Sequence, residues 1–235
     1  MSEKLPIDKT ALIERLRGAL VVSAQAYGDE PMNDAATMTK VAQAVVSGGA
    51  VAVRAQGPDH LRAMRAVLDV PLIGLWKDGH DDVFITPTLE HCLEVADTGA
   101  EVVALDGTSR PRPDGRTFAE TVAALRAQRD VLVMADVSTV EEGVAAAAAG
   151  ADFVGTTLSG YTAYTTKTEG PDLDLISALV AAIDVPVVAE GRIHTPAQAA
   201  EAIRRGAHCV VVGTAITHPS SITSWFATAV AGAQE

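Results

Sequence analysis

Short apolar runs rich in Val, Ile and Ala recur along the chain. Each is followed by a polar or glycine-bearing turn and then by an amphipathic, alanine-rich stretch. The runs are ALVVSAQ (19–25), AVAVRAQ (50–56), VPLIGLWK (70–77), EVVALDGT (101–108), VLVMADV (131–137), DFVGTTLS (152–159), VPVVAEG (185–191) and CVVVGTA (209–215). Nearly continuous apolar character, without strict alternation, suits strands covered on both faces and therefore a parallel sheet. The stretches between them read as helices. Three of them, DAATMTKVAQAVVSGG, TLEHCLEVADTGA and TVEEGVAAAAAGA, end in glycine suited to a helix C-terminus. Ser138 is a cap candidate ahead of two glutamates, and Thr195-Pro196 has the order of a cap and a first helical residue. A Gly-Ala join precedes a strand at Gly49, Gly99, Gly150 and Gly206. One join used four times predicts one architecture, a single (β/α)8 barrel domain over residues 1–235. A doubly wound open sheet is the alternative, but the first strand is not followed by a G-x-G-x-x-G turn.

Composition narrows the class. The chain has 235 residues, 48% of them hydrophobic and 20% charged, enough apolar surface to exclude global disorder. A formal net charge of -12 leaves no general attraction for nucleic acid or anionic lipid, so neither is expected as a partner. No apolar window reaches the roughly 18 residues of a membrane span, and no secretory signal is seen, which predicts the cytoplasm. Cys92 and Cys209 fit neither a disulfide framework nor a zinc pattern and read as small buried hydrophobes. His60, His80, His91, His194, His208 and His218 show no paired ligand spacing; they read mostly as surface or supporting residues, and no metal is expected.

Candidate chemistry lies where the strands end. The runs terminate at Gln25, Arg54, Lys77, Asp106, Asp136, Thr156-Thr157, Glu190 and Gly213, and in a barrel these ends converge on one mouth. Lys77 is the sharpest of them: partial burial and a neighbouring Arg54 would lower its pKa, suiting it to act as a base or a Schiff-base amine. Glu190 is a candidate second acid/base or hydroxyl-orienting group, and Asp136 has the same ambiguity. Asp106 instead suits holding the SRPRPDGR loop. Gly191 and Gly213 follow adjacent strands seven and eight, where bare N–H groups and a short helix form the phosphate cradle common in barrels, with Arg192 adding positive charge. Two longer connections, 78–88 and 160–172, follow strand C-termini and read as lids or pocket walls. Together these features predict a phosphorylated small substrate and a proton-transfer reaction without a cofactor.

The segments VVSAQAYGDEP, GGAVAVRAQG, VPLIGLWK, DVFITPT, VALDGTSRPRPDG, VMADVSTVEEG, DFVGTTLSGYT, PVVAEGRIHTP and AHCVVVGTAIT, in this order from about Leu20 to Phe226, resemble the bacterial N-acetylmannosamine-6-phosphate 2-epimerases. The resemblance implies acid/base action by Lys77 at C2 and a second catalytic carboxylate in Glu190. It also implies substrate contacts from Gln25, Arg54 and Asp136, and a phosphate site at Gly191 and Gly213. It further implies a homodimer or other homo-oligomer joined through the C-terminal helix. Three departures stand out. GTAITHP replaces the family's GGAITRP, which sets Thr214 at the second glycine and His218 at the arginine, and Gln56 stands where Asn is usual. His218 is then either a protonation-dependent phosphate ligand or a solvent-facing histidine at a helix start. Two other functions fit the same residues: a Schiff-base aldolase acting through Lys77, and a non-catalytic sugar-phosphate-binding barrel.

Overall fold

The eight apolar runs form eight strands: β1 (Leu20–Ser23), β2 (Ala52–Gln56), β3 (Leu72–Leu75), β4 (Val102–Asp106), β5 (Leu132–Asp136), β6 (Phe153–Gly155), β7 (Val187–Glu190) and β8 (Cys209–Val212). They pair in parallel and in chain order, and β8 closes on β1, giving the expected (β/α)8 barrel. The structure is a computed structural model that describes residues 8–26, 28, 30–79 and 82–233. His80 therefore lies outside the described residues. Helices alternate with the strands: α1 (Lys9–Leu16), α2 (Ala35–Ser47), α3 (Pro58–Arg65), α4 (Leu89–Asp97), α5 (Phe118–Arg126), α6 (Val140–Ala148), α7 (Leu173–Ala182), α8 (Pro196–Arg204), α9 (Thr214–Thr217) and α10 (Pro219–Gly232).

Local chemistry sets the helix boundaries. Thr195 caps α8 with Pro196 in the first turn, as expected, and closes a capping box with Gln198. The cap of α6 is Thr139, one residue after Ser138. The Glu142 carboxylate takes the Ser138 and Thr139 N–H groups together with the Ser138 hydroxyl, so Ser138 supports the box from outside it. Each such cap contributes about 1 kcal/mol. At the Gly-Ala joins, Gly49, Gly99, Gly150 and Gly206 have φ of 107°, 92°, 93° and 97°, which a side chain would strain.

Strand parity then divides the apolar residues into layers. Val21, Ala52, Ile73, Leu75, Val102, Ala104, Leu132, Met134, Phe153, Val188, Cys209 and Val211 form one cluster inside the barrel. Their strand neighbours Val53, Ala55, Val103 and Val133 face the surrounding helices, as do Val154, Val187, Ala189 and Val210. Leu12 and Leu16 of α1 join the inner cluster and close its floor; burying such a leucine contributes about 1.5–3 kcal/mol. Both cysteines are buried, and burial pushes each thiol up to about 12. Among the described residues, no helix is long and apolar enough to cross a membrane.

Candidate active site

Side chains alternate across a strand, so the positions above each inner-layer residue also face the barrel axis. Continuing the inner parity gives Ser23 and Gln25 on β1, Arg54 on β2, Lys77 beyond β3, Asp106 on β4, Asp136 on β5, Glu190 on β7 and Gly213 beyond β8. A cavity of about 430 Å³ opens there. Gln25, Arg54, Lys77, Glu190, Gly191, Arg192, Gly213, Thr214 and His218 line it. Asp136 lies beneath the wall. Asp106 turns to its own loop, as expected: it accepts from the Thr108 N–H and hydroxyl and pairs with Arg110 at 2.6 Å.

Arg54 is not at a strand end. It sits in the middle of β2, with only 1% of its side chain exposed, and reaches across the barrel. One terminal nitrogen donates to Asp136 Oδ1 (3.0 Å) and Glu190 Oε2 (2.6 Å), and the other to Asp136 Oδ2 (2.5 Å). The Thr157 hydroxyl is 2.7 Å from Asp136 Oδ1 and 3.2 Å from Glu190 Oε2, so one Glu190 oxygen is held on two sides. Thr156 ties the Glu190 backbone through its carbonyl (2.8 Å) and N–H (3.1 Å). The guanidinium is thus committed to two carboxylates and stands at the cavity as a buried cation.

Lys77 and Glu190 are shifted towards each other. Burial, reinforced by the Arg54 charge, lowers Lys77 to about 8, against the pull of Glu190 and Asp136. Burial raises Glu190 to about 7, against the pull of Arg54. Two groups that exchange protons near neutrality therefore share one cavity, a usual mark of acid/base chemistry. Burial also raises Asp106, outside the cavity.

The β7–β8 end supplies backbone donors. Gly191 has φ of 107° and Arg192 of 53°, so the chain turns sharply over the mouth, while Gly213 caps the short helix α9 that begins at Thr214. The Arg192 guanidinium is spent on the 160–172 connection. It donates to the carbonyls of Ser159 (2.6 Å) and Gly170 (3.1 Å) and to the Thr168 hydroxyl (3.0 Å), and it lies 5.2 Å from the Tyr161 ring centre. It latches a loop, while the residue still lines the cavity. His218 is 4% exposed and lies on the cavity wall, with Nδ1 3.5 Å from the Glu30 carboxylate, so it is not a solvent-facing histidine. Gln25 donates to the Ser23 hydroxyl at 2.7 Å, and its buried Oε1 has no partner among the described residues.

Several wall residues escaped the sequence analysis. Phe84 and Ile85 come from the 78–88 connection and Tyr161 from 160–172, so both connections wall the pocket as expected. His194, counted above with the supporting histidines, lines the cavity and packs on Trp225; burial and the Arg192 charge lower its pKa. Inner-face parity was the signal that could have found Ser23 and placed Arg54 mid-strand. Among the described residues, no group of three or more His, Cys, Asp or Glu is arranged to hold a metal ion.

Residues 38–232 match the family described as "Putative N-acetylmannosamine-6-phosphate epimerase". A Cutibacterium acnes protein named "Putative N-acetylmannosamine-6-phosphate 2-epimerase" is 55% identical over 92% of this chain and 95% of its own length. A protein of the same name from Caldanaerobacter subterraneus is 44% identical over 92% and 93%. The solved N-acetylmannosamine-6-phosphate 2-epimerase of Clostridium perfringens superposes with a TM-score of 0.89, at 41% identity, covering 92% of this chain and 95% of that one. With its barrel, its cavity and these relatives in agreement, the chain belongs to the N-acetylmannosamine-6-phosphate 2-epimerase family.

Proposed function

We propose that this protein interconverts N-acetylmannosamine 6-phosphate and N-acetylglucosamine 6-phosphate by removing and returning the proton at C2, a step of amino-sugar and sialic acid catabolism. The observation that carries this reading is the meeting of Lys77, Glu190 and the Arg54 charge in one cavity at the barrel mouth. Epimerisation needs a base that is partly neutral near neutral pH, and Lys77 at about 8 supplies it.

The substrate's phosphate lies against the backbone N–H groups of Gly191, Arg192, Gly213 and Thr214, with His218 on the same wall. Gln25 Oε1 accepts from a sugar hydroxyl or the acetamido N–H. The C2 proton is acidic only when C1 is an aldehyde, so ring opening comes first. The Lys77 amine then takes the C2 proton, and the electron pair moves onto the C1 oxygen as an enolate. The new ammonium and the Arg54 charge stabilise it. Asp136 keeps Arg54 in place. Configuration inverts when a proton reaches the other face of C2, from Glu190 or from Lys77 after the intermediate turns. No electron leaves the sugar, so the step balances without a redox partner.

The substrate's phosphate keeps it from crossing a membrane, which supports a cytoplasmic site of action for the whole chain as one barrel. The C-terminal helix supports a homo-oligomer: none of the 14 residues of α10 is buried, and Phe226 and Val230 are 70% and 63% exposed. The function is tested by incubating purified protein with N-acetylmannosamine 6-phosphate and following the C2 proton by NMR. Growth of the N-acetylglucosamine 6-phosphate signals, undiminished by EDTA, is the expected result. No conversion would refute the assignment, and loss restored by a divalent metal would refute its cofactor-free form.

A further inference from the structure

The motifs FITPT (84–88) and RPRPDG (110–115) supply none of the polar groups of the cavity, yet they meet at a buried pair, Thr86 and Arg112. Thr86 is fully buried with φ of 47°, a left-handed conformation that a β-branched residue adopts only under constraint, and it precedes Pro87, which restricts it further. Its hydroxyl accepts from the Trp76 N–H (3.1 Å) and donates to the Ala104 carbonyl (2.6 Å), and its own N–H donates to the Trp76 carbonyl (2.7 Å). Arg112 completes the arrangement. One terminal nitrogen donates to the Thr86 carbonyl and the other to the Asp106 carbonyl, each at 2.7 Å, while its Nε has no partner among the described residues. Burying a cation is costly unless it is hydrogen-bonded, and here the two backbone carbonyls supply the bonds.

What these bonds hold is the wall beside Lys77. The chain turns back on the end of β3, so that Lys77 and Ile85 form an antiparallel bridge and the Asp78 N–H reaches the Phe84 carbonyl at 3.1 Å. The Ile85 carbonyl in turn accepts from the Asp106 N–H at 3.0 Å, stitching the returning segment to β4. Phe84 and Ile85 line the same cavity as Lys77.

We propose that Thr86 and Arg112 are positioning residues for the proton transfer, a clamp that locks Phe84 and Ile85 against Lys77 and so fixes where its amine stands and how little water reaches it. The inference rests on the acid/base reading of Lys77. Among the described residues, the charges that act on Lys77 are those of Arg54 on β2, Asp136 on β5 and Glu190 on β7, and no hydrogen bond of the clamp runs to their side chains. A change in Lys77 on loosening the clamp therefore does not come from a broken bond to these three groups and reports how the 78–88 connection, with Asp78 and Asp82, places the amine and admits water.

The test compares Thr86→Val, which keeps the shape and loses both hydroxyl bonds, with Thr86→Ser, which keeps the hydroxyl, and adds Arg112→Lys. Circular dichroism checks folding. Acylation of the Lys77 amine across pH, mapped by mass spectrometry, reads its titration without reference to catalysis, and kcat and KM are measured alongside. In Thr86→Val and Arg112→Lys the amine should titrate above its native value of about 8. Their kcat should fall about 10- to 100-fold with KM within about threefold of native, while Thr86→Ser stays native-like. Folded Thr86→Val whose Lys77 titrates as in the native protein overturns the clamp, as does Thr86→Ser impaired as badly as Thr86→Val. If Arg112→Lys does not fold, the threonine pair decides alone. Full activity in Lys77→Met would overturn the base reading instead, and would leave the titration result standing.

Discussion

Between about pH 6.5 and 9 two groups of the cavity change charge, Glu190 near 7 and Lys77 near 8. Abstraction by Lys77 requires its neutral form, so turnover should rise as pH climbs from about 6.5 towards 8. The alkaline side separates the two routes for the returning proton. If Glu190 delivers it, the productive pair carries one proton between its members and activity falls again above about 8. If Lys77 delivers it, activity levels off. Profiles recorded above about pH 6.5 avoid the substrate phosphate, whose second ionisation lies near 6. Stability carries the same signature. A Glu190 raised from 4.5 to about 7 means that the folded state binds the extra proton, so its contribution is fully present below 4.5 and is lost as pH rises through 7. Glu190→Gln should therefore gain in melting temperature relative to the native protein between those values; a constant difference would contradict the buried, proton-binding carboxyl. Arg54→Met leaves Asp136 and Glu190 buried without their cation and should cost about 3–5 kcal/mol in denaturant unfolding. A loss under about 1 kcal/mol would show that the network is dispensable.

Among the elements, the strands were legible, and so was the place of the two long connections at the pocket, while the bonds that hold those connections were not. The eight apolar runs became the eight strands because burial on both faces leaves a continuous signal. The strand-end residues fell together because parallel strands expose all their C-termini at one face. Arg54 was misplaced by two residues because a lone polar residue in an apolar run looks like its end, when it was an inward position of a strand that continues through Gln56. Arg192 illustrates the other limit: nothing in its sequence neighbours points to its partners Ser159, Thr168 and Gly170, which lie more than twenty residues away and are chosen only by the fold. As the latch of the 160–172 connection it makes a prediction of its own. Arg192→Ala should hasten tryptic cleavage after Lys167, read by mass spectrometry, and an unchanged cleavage rate would leave the latch without a function.

At the scale of the whole molecule, the barrel gathers the groups proposed for proton transfer and anion binding on one rim and closes the opposite end with Leu12 and Leu16. The α10 helix stands outside that economy, with Trp225, Phe226 and Val230 exposed, and it is the surface on which the proposed homo-oligomer would form. Phe226→Glu should lower the sedimenting mass of the native assembly, and a native protein that sediments as a monomer would remove the proposal. The central claim is that Lys77 moves the C2 proton of an N-acetylhexosamine 6-phosphate. It is tested by running native protein and Lys77→Met with N-acetylmannosamine 6-phosphate in D2O and following C2 by proton NMR. The account predicts N-acetylglucosamine 6-phosphate carrying deuterium at C2 with the native protein, and a rate lower by about 100- to 10,000-fold with folded Lys77→Met. Near-native turnover in Lys77→Met would contradict it.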